Sequence, residues 1–305
     1  MNFRTALLPI AALFLIVPAG AASAQTDSDL LFAPWNIKTF LELRSEALVA
    51  NAGHIDGKGS DHFWQLSTQG RVRLGDSHEI NPSLGFDGFH LDTGSNDPRI
   101  PRQLDDASVA FATPIGTANG WFAGILAGLG YAGDNAFGDN RAYYGLAQFY
   151  VGRQLHPNED MLFILDYNGN RVFFPDVPLP GIAYHRKFSE NFDLVVGFPD
   201  SSVRWKPLDD LTLRADISVF SSVNLEARYR AAKGLELFAG LIDQEQPFYI
   251  DGQPRTHRLF FQQYRAQVGV CWQPSPGIQL QATTGYLFGR QFSDGFNDFD
   301  TSNIA

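Results

Sequence analysis

Leu211-Thr212-Leu213-Arg214-Ala215-Asp216-Ile217-Ser218-Val219, followed closely by Val223-Asn224-Leu225-Glu226-Ala227-Arg228-Tyr229-Arg230, is the stretch that decides the fold. Every second residue is apolar: Leu211, Leu213, Ala215, Ile217 and Val219, then Val223, Leu225, Ala227 and Tyr229. Between them stand Thr212, Arg214, Asp216 and Ser218, then Asn224, Glu226, Arg228 and Arg230. A period of two marks a strand with one apolar and one polar face, whereas a helix would space its apolar residues three and four apart. Asp216 and Glu226 lie close enough to Arg214, Arg228 and Arg230 to pair across one hairpin, so the polar face can satisfy its own charges.

Working outward, the same separation recurs in Thr39 to Val49, Trp64 to Leu74, Tyr264 to Trp272 and Ile278 to Phe288. Tight-turn chemistry separates the runs at 75–78, 116–120, 156–160, 189–191, 208–210, 232–234 and 275–277. Longer connections lie at 50–62, 93–101, 133–141, 168–180 and 243–257. Short turns alternating with long loops predict an all-β, closed, antiparallel up-and-down transmembrane barrel of about 14 strands, within 12 to 16. Phe192 to Pro207 decides the parity. Read as one strand with a bulge at Pro199 it gives the even count that a bacterial barrel favours, and read as two strands broken at Phe198-Pro199-Asp200 it gives an odd one.

Composition narrows the alternatives. The 305 residues carry 23 Lys and Arg against 33 Asp and Glu, a net charge of −10, without the basic cluster that nucleic-acid binding requires. The single cysteine, Cys271, excludes an internal disulfide and a thiolate zinc site. Residues 1–24 read as a cleavable signal peptide: Arg4, an apolar run from Thr5 to Gly20, and Ala22-Ser23-Ala24 before Gln25. Residues 25–38 read as a polar, Pro-containing leader, 39–292 as the barrel, and 293–305 as a tail.

A soluble sandwich would alternate in the same way. Export, a polar face rich in Arg, Glu and Gln, and aromatics placed just before the tight turns favour the membrane barrel. Trp64, Trp205, Tyr229, Tyr264, Trp272, Tyr286 and Phe288 are the expected membrane-interface aromatics. The segment Gly181-Ile182-Ala183-Tyr184, Asn191 to Pro199, Ser202 to Pro207 and Leu211 to Ala215 resembles a family of uncharacterised Gram-negative outer-membrane β-barrel proteins, a domain of unknown function. The resemblance implies an outer-membrane barrel and no particular substrate. The chain departs from the usual barrel ending, since Asp300 to Ala305 lacks a terminal aromatic, and Tyr286, Phe288 or Phe292 would have to close the last strand.

No catalytic constellation emerges. None of His54, His62, His78, His90, His156, His185 and His257 has a hydrolase neighbourhood, and Asp105-Asp106 and Asp209-Asp210 lack the His-Asp partner of a rim protease. Asp134, Asp139 and the 293–300 acids read as solvated loop acids rather than calcium ligands. The histidines near the first hairpins read as solvated loop residues, and the 168–180 prolines with Phe173 and Phe174 as a rim loop more than a constriction. Neither a metal site nor a cofactor is expected. The expected function is a narrow passive channel or a structural membrane component, with a rim hydrolase and a soluble exported binding module as the alternatives. Arg71, Arg73, Arg204, Arg214, Asp216, Glu226, Arg228, Arg230 and Arg265 are the expected lumen-lining residues, and their arginine excess predicts a preference for small anions. Outer-membrane lipid and the barrel-insertion machinery are the expected partners.

Overall fold

The structure, a computed structural model, describes residues 16–17, 41–54, 60–74, 82–218, 222–275, 278–297 and 300–304. Nearly all of the signal peptide and the whole 25–38 leader lie outside these residues. Most of the described residues lie in strands, and the described residues contain no α-helix. Fifteen long strands follow one another: β1 (Leu41–His54), β2 (Ser60–Arg73), β3 (Ser83–Asp92), β4 (Gln103–Ala118), β5 (Trp121–Gly133), β6 (Tyr143–His156), β7 (Glu159–Asn168) and β8 (Leu179–Ser189); then β9 (Phe192–Phe198), β10 (Asp200–Leu208), β11 (Leu211–Ser218), β12 (Ser222–Ala232), β13 (Leu235–Tyr249), β14 (Arg258–Ser275) and β15 (Ile278–Gly295). Each pairs antiparallel with the next. A parallel bridge between Gly133 at the end of β5 and Tyr249 at the end of β13 closes β5 to β13 into a nine-stranded ring. β1 to β4, β14 and β15 are the six strands beyond it.

Among the described residues the tight turns gather on one rim, apart from the reversal at Pro199. Asn119-Gly120, 157–158, 190–191, 209–210 and Lys233-Gly234 each lead from an even-numbered strand to the next odd one. Asn119 and Gly120 both have positive φ, 52° and 78°, the pair that a two-residue hairpin turn with the natural strand twist requires. The long loops 93–102, 134–142, 169–178 and 250–257 lie on the opposite rim.

Three expectations are corrected. Phe192 to Pro207 is two strands, not one with a bulge: Asp193, Leu194 and Val195 pair with Arg204, Val203 and Ser202, so the chain reverses at Pro199. Pro199 has no N–H to give to a ladder, which favours a break over a continued strand. Among the described residues the long strands number fifteen, an odd rather than an even count and within the expected 12 to 16. Several strands also run beyond the expected ends: β1 continues to His54, β2 begins at Ser60, β13 reaches Tyr249 where a loop from Asp243 was expected, and β15 passes Phe292 to Gly295.

The glycine-rich β5 is explained by its neighbours. A Cβ at Gly124 would strike the Tyr150 ring, and one at Gly130 the Tyr144 ring, so these glycines are the floor under two inward tyrosines.

Candidate functional site: the two faces of the wall

The strand alternation resolves into an apolar exterior and a polar interior. Large apolar side chains stand exposed on every strand from β2 to β15, among them Phe111, Ile125, Phe149, Phe163, Leu165, Ile182, Val196, Ile217, Leu225, Leu241 and Val268. On the opposite parity Gln65, Arg71, Ser108, Asp216, Asn224, Gln263 and Arg265 are buried. A protein folded in water places these classes the other way round.

The expected interface aromatics fall at two levels. Trp205, Tyr229 and Trp272 are about half exposed and stand at strand ends just before the tight turns. Trp121 and Phe188 join them, each with a guanidinium over its ring: Arg153 at 5.3 Å and Arg186 at 4.7 Å. Trp64 lies towards the other rim, stacked on His90 at 4.4 Å and donating to Asp92 at 3.2 Å. Tyr264 stacks on Phe288 at 6.1 Å, and Phe288 and Tyr286 are exposed.

On the interior, β7 to β13 carry a chain of ion pairs between neighbours. His185 sits between two carboxylates, with Nδ1 at 2.9 Å from Asp160 and Nε2 at 2.8 Å from Asp193. Arg204 reaches Asp193 at 3.2 Å, and Arg214 reaches Asp216 at 2.6 Å. Arg228 bonds Glu226 through Nε at 2.5 Å and Nη2 at 3.0 Å, and lies 3.6 Å from Glu236. Arg230, at the rim, lies 3.8 Å from Asp210. Arg204, Arg214, Arg228 and Arg230 are thus each matched by an acid, and the expected arginine excess is absent from this side. Asp160, Asp193 and His185 carried no sequence signature, because three residues from three strands meet only once the hairpin registers are known.

The opposite side of the interior is filled. Strands that are not ladder neighbours touch across it: Gln263 donates to Gln65 at 2.9 Å, and the Phe63 and Phe261 rings lie 6.0 Å apart, as do Phe89 and Phe248. Arg290 stacks over Phe63 at 4.7 Å. Arg71 and Arg265 are fully buried within this side, with Arg73 at its short-turn end. Phe292, Leu91, Leu104 and Leu259 complete an apolar cluster towards the long-loop rim.

At the junction of the two sides sits Asp106. Its carboxylate accepts from Tyr144 Oη at 2.8 Å, Asn170 Nδ2 at 3.2 Å and Gln246 Nε2 at 3.1 Å, tying β4, β6, the 169–178 loop and β13 together. Tyr249 Oη donates to the Gly169 carbonyl at 3.0 Å. The 169–178 loop is therefore packed, not a solvated rim loop: Val172 and Phe173 are buried against Phe260. Arg258, fully buried, holds it by donating to the carbonyls of Arg171 at 2.8 Å, Val172 at 3.1 Å and Phe296 at 2.6 Å.

Two further expectations change. His90 is no solvated loop histidine; it lies on β3, 2.6 Å from Asp105. Asp139 and Asp134 are structural: Asp139 caps the short turn of 3-10 helix Asn140–Ala142 and binds Arg141, and Asp134 accepts the Asp251 N–H at 3.0 Å. Among the described residues no group of three or more His, Cys, Asp or Glu is placed to hold a metal ion. Comparison with known proteins finds no matching family profile and no matching curated protein.

Proposed function

We propose that the chain is an outer-membrane β-barrel acting as a narrow, passive channel for small solutes, with its passage beside β7 to β12. The observation that carries this is the inversion of faces: a belt of exposed Leu, Ile, Val and Phe around buried Arg, Asp, Asn and Gln. In water each exposed side chain of that belt forgoes about 1.5–3 kcal/mol of burial, and lipid supplies the missing apolar environment. The resemblance of the 181–215 region to outer-membrane barrels points the same way, as does the export-type N-terminus. The passage lies to one side because the other is occupied by Phe63, Phe89, Phe248, Phe261 and the Gln65–Gln263 bond.

The matched charges make the passage weakly selective between small anions and cations, in place of the anion preference expected from the arginines alone. The test is planar-bilayer conductance of the refolded chain, after heat-modifiable gel migration has established a folded barrel. Discrete small steps with a reversal potential near zero in a salt gradient are expected. Arg214→Ala with Arg228→Ala should shift the reversal potential towards cations, because Asp216, Glu226 and Glu236 lose their partners. A folded barrel that is electrically silent overturns the channel, and an unchanged reversal potential removes this wall from the passage.

A further inference from the structure

The interior beside the passage is not charged throughout. On β5 to β9 two neighbouring ladder rows carry apolar residues between rows that carry acids. In the first, Tyr150 pairs with Ile164, and Gly124 and Gly181 are the next residues on either side. In the second, one step nearer the short turns, Phe122, Gly152, Leu162, Ala183 and Gly197 pair in turn. Both rows share the inward parity of Gln148, Asp160 and His185, while Ile125, Phe149, Phe163 and Ile182 stand exposed on the other parity.

Large and small residues alternate across this patch. The tips of the Phe122 and Tyr150 rings lie over Gly152 and Gly124, where an added Cβ would strike them, and the two rings are 6.4 Å apart. The rings therefore lean along the wall instead of standing across the interior. Phe122, Tyr150, Leu162 and Ile164 are half-buried and stand outside the tightly packed cluster around Phe261, so they line the passage with apolar surface and do not fill it. Such surface, set among a few fixed polar groups, is where the apolar part of a solute gains most by leaving water.

The groups that bound the patch are charged. Towards the short turns are Asp160 and Asp193 with His185 between them, and Arg204 on Asp193. Towards the long loops are Asp166, held by Arg171 and by Gln148 at 3.2 Å, and Asp200, whose carboxylate bonds Ser218 and lies near Asp166. Lys187, further towards the short turns, is taken by Glu190. Four carboxylates thus face two guanidiniums and one imidazole. The faces of the two rings add their own attraction for a cation.

We infer that the passage takes small amphipathic cations, primary amines with an alkyl or aromatic body. The body lies against Phe122, Tyr150, Leu162 and Ile164, and the ammonium group sits at the carboxylates that bound the patch. The inference rests on the channel reading and narrows its solutes to one chemical class. An ammonium group brings three donors and no acceptor, which suits carboxylates that only accept. Each methylene that the patch takes out of water tightens binding about fourfold. Inorganic ions gain nothing from the patch and keep the weak selectivity set by the matched charges.

The experiment is planar-bilayer recording of the refolded chain in potassium chloride, after heat-modifiable migration has been checked, with methylammonium, butylammonium, hexylammonium and hexanoate as probes. The concentration that halves the potassium chloride current should fall at least about tenfold from methylammonium to hexylammonium, with butylammonium between them. Hexanoate should need several-fold more than hexylammonium. Leu162→Thr with Ile164→Thr keeps two strand-forming residues but removes the apolar surface, and should bring the methylammonium-to-hexylammonium ratio close to one. Phe163→Thr, on the outer face between them, should leave the ratio as in the unsubstituted chain. Equal block by methylammonium and hexylammonium in a conducting channel overturns the inference and leaves the channel standing; this series decides even where the double variant does not fold. Hexanoate blocking as well as hexylammonium overturns the assignment to cations, and a ratio lost equally in Phe163→Thr overturns the inner patch in favour of an effect through the lipid. A folded but silent barrel overturns the channel and the inference together.

Discussion

The wall of the molecule is low on one side and tall on the other. β7 to β12 are 7 to 11 residues long, close to the nine to eleven that a tilted strand needs to cross a bilayer. β13, β14 and β15 have 15, 18 and 18 residues, and β4 has 16. Along the low wall the outward face is mainly apolar, and the inward face carries the charged residues from Asp160 to Arg230. On the tall wall the faces exchange character partway up, and β3 shows both orders in ten residues. Leu84 and Phe86 face out, opposite Ser83 and Gly85; then His90 and Asp92 face out, opposite Phe89 and Leu91. On the membrane reading proposed above, one alternation serves two solvents, and the level of the exchange is the upper edge of the apolar belt.

The largest predicted difference between the walls comes from truncating one apolar residue on each. Phe261 lies 5.3 Å from Phe292, 6.0 Å from Phe63 and 6.4 Å from Phe89, at the centre of the tall-wall cluster. Phe261→Ala leaves a cavity bounded by packed rings and should cost about 3–5 kcal/mol. Leu225→Ala, on the exposed face of the low wall, leaves a notch that a lipid or detergent chain refills, and should cost less than about 1.5 kcal/mol. Urea unfolding in vesicles measures both. Equal losses would break the distinction, because they would mean that the tall-wall interior is no better packed than the lipid face.

Next in size is the joint between the walls. Asp106 satisfies donors from three separate segments, and Asp106→Ala takes one acceptor from each of Tyr144, Asn170 and Gln246 at a cost of about 2–4 kcal/mol. Asp106→Asn keeps one acceptor oxygen and should lose about half as much. With the joint loosened, β13 and the 169–178 loop lose a tie to β4, so in the channel proposed above conductance through Asp106→Ala should be noisier than through wild type. A full loss of stability with unaltered current would assign Asp106 to folding alone.

The low wall was the legible part of the molecule. In 211–219 and again in 223–230 polar and apolar residues alternate, so both the strands and the inward set of Arg214, Asp216, Glu226 and Arg228 could be read directly. The upper tall wall was illegible for the reason that makes it distinctive. Asp243, Gln244, Glu245 and Gln246 look like a loop because the outward face has turned polar, yet they continue β13 to Phe248 and Tyr249. An even count favours a bulge at Pro199, and only the register of Asp193 to Val195 on Ser202 to Arg204 shows that the chain turns back there. Asp106 and His185 could not be found at all, since their partners lie on strands that only register brings together.

The smallest effect is a pH dependence confined to the tall rim. Asp139 accepts from the Arg141 backbone N–H at 2.9 Å and from its guanidinium, while Arg141 Nη2 reaches Asp251 at 3.1 Å and Nη1 donates to the Gln253 carbonyl at 3.0 Å. This arginine therefore fastens the 134–142 loop to the β13–β14 loop. The guanidinium holds the Asp139 carboxyl below its ordinary value of 3.8, so on acidification the unfolded chain takes up the proton first. The contribution is complete above about pH 5 and disappears as pH falls through the depressed value. Asp134, raised by burial, has the opposite sign, because its protonation favours the folded loop, so the whole-protein midpoint is a poor gauge. The difference between wild type and Arg141→Met isolates the pair: it should be constant from pH 8 to about 5 and shrink below about pH 4. A difference that stays flat to pH 2 would mean that the Asp139 contact adds nothing to the rim, and that the tall wall is held at its top by Arg258 and the aromatic cluster alone.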